Sequence, residues 1–456
     1  MKKLKSIIVG CFVLTAVLAS SCSGNDYVNV IPRESTALIS VDANKMSSDS
    51  KMANKGNVIK SLLQVDDVKD CGIDFSKKFY MFESPEGDLG VCAKVNDEDD
   101  LETTFKNLSK KGKCSSVVKR RGFKFTVLKN SWVAGFSDKA LLIMGPAVGP
   151  AQMELQQKMS RYLDEDEDDG IKGSPMYDRL DSINTPMAMV AQAQALPEKF
   201  IAPFTLGAPK DADASQIIIA AEMTVDKGCL KFNGETFSFN KRIDDALKKA
   251  AKIYRPIKGK YAKLLPISSV AGMFMNVDGK QFLPLMQNDK AMVALLAGVN
   301  QAIDMDNILR SVNGDLAIIF PAYSGNKMSM TMSAQLANSN WLSDVDYWKQ
   351  SCPAGGKILN WRKNAYYYTD SKTTYYFGVS PDMQYYSGSS AALADHSIQL
   401  AQQPIGNNLV DQIVGKKLVM VISLGSMKDK KGALSVITTF MQPIFGKVNS
   451  IVYSLK

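Results

Sequence analysis

Short apolar runs, bounded by turn residues, recur along most of the chain, and two series of them follow one another in the same order. After Pro32 comes Ala37-Leu38-Ile39-Ser40-Val41-Asp42, and after Pro266 comes Ala271-Gly272-Met273-Phe274-Met275-Asn276-Val277-Asp278. Their length, flanks and apolar content predict buried strands. A stretch with helical spacing follows each, Val58–Val65 in the first series and Ala291–Ile303 in the second. Phe79–Phe82 then matches Leu316–Phe320, and the alternating run Leu89–Val95 matches Met328–Leu336. Trp132–Ser137 matches Tyr375–Ser380, and Pro186–Val190 matches Lys417–Val421. The offset stays between 231 (Pro186 to Lys417) and 243 (Trp132 to Tyr375). Six matches in one order predict two related halves, residues 29–239 and 265–456.

Local chemistry fills in these halves. Arg121-Gly122 predicts a hairpin turn between Ser116–Arg120 and Phe123–Leu128, and Asp370-Ser371-Lys372 predicts another between Asn364–Thr369 and Thr373–Gly378. A third hairpin joins Ile217–Val225 to Leu230–Phe239 through Asp226-Lys227-Gly228. Asp99-Asp100-Leu101-Glu102 predicts the start of a helix running to about Ser109, and helices are expected over Gln152–Leu163 and Ser389–Leu400. Residues 240–264 read as a basic helical connector, whose Ile243, Leu247, Ala250 and Tyr254 share one face. Strands joined by tight turns predict an α+β fold: two tandem related halves, each a mainly antiparallel sheet with helices packed on one face.

The chain opens with Lys2, Lys3 and Lys5, an apolar run from Ile7 to Ala19, and Ala19-Ser20-Ser21-Cys22. The run is short for a membrane span and suits an export signal. Small residues before Cys22 fit lipoprotein processing, although Ala19 stands where Leu is usual and Leu18 lies one place earlier. Residues 1–21 are therefore expected to be a lipoprotein signal peptide, with Cys22 lipidated and 22–28 a tether. The membrane is then a partner through the anchor, and the expected location is the outer membrane, on its periplasmic or cell-surface side.

Composition narrows the function class. Hydrophobic content of 45% with 22% charged residues is that of a folded chain. The formal charge of +9 falls to +6 once Lys2, Lys3 and Lys5 are removed, and no nucleic-acid partner is expected. Apart from Cys11 and Cys22, the cysteines Cys71, Cys92, Cys114, Cys229 and Cys352 are scattered and odd in number. That is neither a disulfide framework nor a zinc site.

Tyr27-Val28-Asn29-Val30-Ile31-Pro32, followed by Ala37 through Met46, resembles Bacteroidetes lipoproteins grouped as domain of unknown function 4836. The tandem strand-helix layout and the Gly135-Phe136-Ser137 strand resemble that family too. The resemblance implies a cell-envelope setting and brings no catalytic residues with it.

Catalytic and metal-binding motifs are mostly missing from the sequence. His396 is the single histidine, so no multi-histidine metal site is possible. Asp164–Gly170 is rich in carboxylates, but neither register places both the glycine and the glutamate that a calcium loop needs. It reads as a solvated acidic loop, and no metal or cofactor is expected. Nucleotide and nucleophile-elbow motifs are absent. The basic residues of the connector helix read as a solvated face.

What stands out is aromatic density in the second half. Trp361, Tyr366, Tyr367, Tyr368, Tyr375, Tyr376, Tyr385 and Tyr386 form the candidate ligand-binding set, because sugar rings and protein partners both use exposed aromatic faces. The sequence thus points to a lipid-anchored envelope protein acting by binding or scaffolding, with a glycan or an envelope protein as partner. The alternative is a carboxylate-dependent hydrolase acting on glycans, which needs two facing acids.

Overall fold

The computed structural model describes residues 25–42, 45, 71–129, 131–196, 201–226, 228–289, 293, 302–321, 323–324, 327–425 and 448–456. The signal segment 1–21, Cys22, the helix read at Val58–Val65 and most of that at Ala291–Ile303 lie outside the described residues. The chain divides into two compact units, the first ending at Ala188 and the second running from Met189 to Lys456.

In the first unit the strands are β1 (Ala37–Val41), β2 (Phe79–Glu83), β3 (Leu89–Lys94), β4 (Val118–Arg120), β5 (Phe123–Leu128), β6 (Trp132–Phe136) and β7 (Ala140–Gly145). At its end the chain enters β8 (Met187–Gln192). Seven strands pair antiparallel in the order β1-β2-β3-β7-β6-β5-β4. The Asp42 N–H donates to the Pro186 carbonyl, which brings the entry to β8 beside the end of β1.

Turn and cap residues set these elements. Arg121 (φ 50°) and Gly122 (φ 90°) make the two-residue turn between β4 and β5, a left-handed pair that matches strand twist. The Asp97 carboxylate accepts from the N–H groups of Asp99 and Asp100 and starts the helix Glu98–Lys110. Leu101, Phe105 and Leu108 of that helix pack with Ala134, Phe136, Leu141 and Ile143 of the sheet.

The second unit contains β9 (Ile218–Asp226), β10 (Cys229–Phe237), β11 (Ala271–Asp278), β12 (Val312–Phe320), the small hairpin β13 (Tyr323–Ser324) and β14 (Lys327–Met328), and β15 (Thr331–Leu336). It continues with β16 (Lys357–Arg362), β17 (Ala365–Thr369), β18 (Thr374–Val379), β19 (Gln384–Gly388), β20 (Leu418–Ser423) and β21 (Ser450–Leu455). The sheet order is β9-β10-β21-β20-β11-β12-β15-β19-β18-β17-β16. Only β10 and β21 pair in parallel among the described ladders.

The run β11-β12-β15-β19-β18-β17-β16 is threaded as β1-β2-β3-β7-β6-β5-β4 is. Helical segments enter at the same points. Glu98–Lys110 follows β3 as Asn340–Gln350 follows β15, and Ala151–Asp164 with Pro175–Asp181 follows β7 as Ala391–His396 with Asn407–Ile413 follows β19. Pro32 bridges to Gly170, and Pro266 bridges to Pro404. Gly135 pairs with Phe125 and Leu142, and Gly378 pairs with Ala365 and Tyr386.

Two features differ from the sequence expectation. Helices cover both faces of each sheet, not one. β7 is buried at all six positions and β11 at its first seven, so both sides need cover. In the second unit Met273, Met275 and Val277 face one core with Phe282 and Ile308, while Phe274 faces another with Tyr261, Leu264 and Ile413. The unit boundary also lies at Ala188/Met189, whereas the sequence division ends the first half at 239. The reason is that β10 pairs with the C-terminal β21. Ile243 and Leu247 of the basic helix (Lys241–Ala251) also pack in the second unit's larger core.

Gly378 gives a test of this packing. A Cβ there would lie 2.7 Å from the Ala365 Cβ and 2.8 Å from the Tyr386 ring and hydroxyl. Gly378→Ala should cost about 1–3 kcal/mol and lower the thermal midpoint. An unchanged midpoint would show that β17 and β19 do not close on it as described.

Candidate functional site

Strand alternation splits the aromatic set between two faces of β16–β19. On one face Tyr366, Tyr368, Tyr375 and Tyr385 join Ile358 and Phe377 against Trp341 and Trp348 from the helical segment Asn340–Gln350. The two indoles stack at 5.9 Å. The Tyr375 and Tyr385 hydroxyls lie 3.0 Å apart, and burial pushes both phenols above their ordinary range. Lys349 Nζ sits 5.2 Å over the half-buried Tyr366 ring. Tyr368, Tyr375 and Tyr385 are core residues and offer no surface for stacking, which corrects the sequence expectation for them. The cause is the indole pair, which needs an aromatic floor.

The opposite face carries Leu359, Trp361, Tyr367, Tyr376 and Tyr386. Leu359, Tyr367 and Tyr376 stand directly across from one another on β16, β17 and β18. The Tyr367 and Tyr376 rings stack at 5.0 Å, and Trp361 meets Tyr376 edge-on at 4.9 Å. The β16–β17 register shifts between Asn360 and Arg362, and this irregularity aims Trp361 at its neighbours. The Arg362 guanidinium lies 3.8 Å over the Trp361 ring and donates to Asp395 at 3.0 Å. Tyr386 is buried beneath Trp361 and Ala394, a second correction to the expected set.

Cover on this face comes from Ala391–His396, a helix of six residues. It is shorter than the expected Ser389–Leu400. Trp361, Tyr367 and Tyr376 stay half-buried, and Leu359 is 41% exposed. In the first unit the cross-strand pair Val127 and Val133 holds the position of Tyr367 and Tyr376. There the fourteen-residue helix Ala151–Asp164 packs over the sheet, with Leu163 against Gly135, and Val133 is fully buried. The same place in the topology is aliphatic in one unit, with Val133 buried and Val127 half-buried, and aromatic in the other, with both rings half-buried.

The remaining candidates fall elsewhere. His396 is exposed at the end of its helix. Within the acidic segment, Lys172 pairs with Glu167 at 2.9 Å and with Asp26 at 3.4 Å, and Arg33 donates to the Asp168 carbonyl. No group of three potential metal-binding side chains gathers among the described residues. On the basic helix, Lys241, Arg242 and Lys248 pair with Asp245, Asp211 and Asp244. Cys71, Cys92, Cys114, Cys229 and Cys352 are free thiols. Sequence reasoning missed Leu359 and Arg362. Counting strand parity outward from Trp361 could have found Leu359.

A family model described as "Domain of unknown function (DUF4836)" matches residues 27–404. The chain belongs to that family. No curated protein matches it. Three crystal forms of TP0453 are similar at low identity. Form IV is 11% identical, covering 45% of this chain and 80% of that one, with a TM-score of 0.27. Form III is 7% identical over 82% and 97%, with a TM-score of 0.23, and form I is 9% identical over 82% and 96%, with a TM-score of 0.22. At these scores the likeness carries no structural argument. The family match spans residues from both units and names no activity.

One carboxyl in the acidic segment has unusual titration. Burial, then Asp169 and Glu34, pushes Glu165 up to about 7 from an ordinary 4.5. The folded state therefore holds this proton more tightly than the unfolded chain. Its contribution to stability is full below about pH 4.5 and is lost as pH rises through about 7. Glu165→Gln should raise the thermal midpoint at pH 8, by roughly 2–4 °C per kcal/mol for a unit of this size, and leave it unchanged at pH 4. Equal shifts at both pH values would rule out the retained proton.

Proposed function

We propose that this chain is a lipid-anchored cell-envelope protein, of Bacteroidetes lipoprotein type, that acts by binding glycan through the open aromatic face of β16–β18. Its two units would descend from one duplicated sheet, with the second opened for binding and the first kept closed. The single observation that carries the reading is the contrast at one topological position. Val127 and Val133 are replaced by Tyr367 and Tyr376, and the long covering helix is replaced by a short one.

The chemistry suits a sugar. Tyr367 and Tyr376 give a stacked pair, Trp361 gives an edge beside it, and Leu359 extends the apolar strip. A pyranose presents one apolar C–H face and a rim of hydroxyls. Arg362, exposed at the margin, is placed to donate to those hydroxyls or to an acidic substituent. The anchor at Cys22 would hold this face in the envelope, on the periplasmic or cell-surface side, where glycans are abundant.

The carboxylate-hydrolase alternative has one observation in its favour. Glu165 keeps its proton to about pH 7 beside Asp169 and Glu34, as a general acid must. It predicts release of new reducing ends from a glycan, lost in Glu165→Gln.

The test of the main reading is calorimetric titration of neutral and acidic oligosaccharides into the mature chain in neutral detergent. Tyr367→Ala and Trp361→Ala should each weaken binding at least tenfold, about 1.4 kcal/mol. The core variant Phe377→Leu serves as a packing control and should leave affinity unchanged. If both face variants bind every sugar as the parent does, the aromatic face is not the site.

A further inference from the structure

Between Thr103 and Ser137 the sequence holds nine Lys or Arg residues and no Asp or Glu. The structure gathers this run at the outer edge of the first unit's sheet. It comprises the last turns of the helix Glu98–Lys110, the loop after it, and the β4–β5 hairpin. Two of the nine are neutralised locally. Lys106 pairs with Glu102, and Lys124 pairs with Glu102 and with Glu98 at 3.1 Å. Lys110, Lys113, Lys119, Arg120, Arg121 and Lys129 are all exposed, and none has a carboxylate partner among the described residues.

We infer that this edge is a binding strip for a linear polyanionic glycan, separate from the aromatic face of the second unit. Three features select that partner. First, the strip is extended. Cys114 bridges to Leu128, the Ser115 N–H donates to the Val127 carbonyl and Lys119 pairs with Lys124, so Lys113 through Arg120 runs along β5 as an outer strand. At about 3.3 Å per residue that is roughly 23 Å, the length of several sugar units.

Second, the cations straddle the edge. Lys119 stands opposite Lys124, which lies under the helix Glu98–Lys110, while Arg120 and Val118 point to the other face. A polymer lying along the edge meets charges from both sides, whereas a flat bilayer can meet only one. Third, no carboxylate of the acidic segment pairs with the strip among the described residues. The segment follows the helix Ala151–Asp164, whose Leu163 lies against Gly135 of β6, and it ends at Gly170, which bridges to Pro32 ahead of β1. If the chain is tethered at Cys22, as proposed above, its acidic side is the one near the anchor.

Lysine on an edge strand also blocks unwanted strand pairing, and one such residue is enough for that. Lys119-Arg120-Arg121 in a row at a hairpin tip, with Lys110, Lys113 and Lys129 beside the other end, exceeds it. Val118, 41% exposed between them, gives an apolar contact within the strip.

The experiment measures retention of the mature chain, in neutral detergent, by immobilised polygalacturonate at low salt, and by vesicles of phosphatidylglycerol with phosphatidylcholine. Binding to the polymer that falls steeply with added salt is expected. Lys119→Ser/Arg120→Ser/Arg121→Ser should weaken it at least about tenfold with no change in thermal midpoint. Lys249→Ser/Lys252→Ser, on the basic helix of the second unit, should leave it intact, as should Tyr367→Ala. Undiminished binding of the triple variant overturns the proposal, and so does an equal loss in the helix variant, which would mean general charge attraction. Retention by vesicles without retention by the polymer makes the partner a lipid surface and overturns it as well. Loss on Tyr367→Ala alone would reassign the polymer to the aromatic face.

Discussion

The constraint on which each unit depends is that its central strands are apolar on both sides. Ala140–Gly145 is buried at every position, and so are the first seven residues of Ala271–Asp278. Such strands are stable only between two layers, so every helix in the unit is committed to covering one face or the other. The helix Glu98–Lys110 takes one side of the first sheet and Ala151–Asp164 takes the other. In the second unit, Phe282 and Ile308 serve one side, and Tyr261, Leu264 and Ile413 the other. Where helix runs out, sheet is left open, and the open places are at the ends of the strand order.

Much of this organisation was legible in the sequence. The paired strand runs and the Arg121-Gly122 and Asp370-Ser371-Lys372 turns lie where residue chemistry placed them, and the first helix starts one residue before Asp99, capped by Asp97 instead of by the Asp99-Asp100 pair. Arg121 and Gly122 need left-handed backbone, and Asp370 accepts from the N–H groups of Lys372 and Thr373. Such signals are local, and local signals survive tertiary packing. What was not legible is long-range. Nothing within Cys229–Phe237 says that its partner is Ser450–Leu455, more than two hundred residues later, yet that parallel ladder binds β10 into the second unit.

The aromatic site shows the same division at finer scale. Composition located the aromatic strands, but composition cannot assign faces. Tyr366-Tyr367-Tyr368 necessarily splits, and only the position of Trp341 and Trp348 decides that Tyr366 and Tyr368 turn inward while Tyr367 turns out. Tyr386 shows a further limit. It shares the outward face with Tyr376, but Ala394 and Trp361 close over it, so parity alone does not predict exposure. The irregularity at Asn360/Arg362 is likewise invisible in a strand pattern, although it sets where Trp361 and Arg362 meet.

In both units the last hairpin of the order, β4–β5 in one and β16–β17 in the other, has one edge unpaired among the described ladders, while its inward positions, Phe125 in one and Ile358 and Tyr368 in the other, stay buried. Its exposed positions, such as Val118 and Leu359, are under weak packing constraint, because a substitution there disturbs few buried neighbours. It is where sequence can change chemistry without changing fold. The first unit uses this freedom for charge, with Lys119, Arg120 and Arg121 around Val118. The second uses it for rings, with Trp361 and Tyr367 on a face that a six-residue helix leaves half open. Gly135 and Gly378 hold the strand next inward in both cases. The spaces above them are occupied by Phe125 in one unit and by Ala365 and Tyr386 in the other, so both positions are tightly packed while the rims differ. The differing side chains at the rim and the matching glycine positions at the centre thus have one origin, the unequal cover of a sheet that is apolar on both sides.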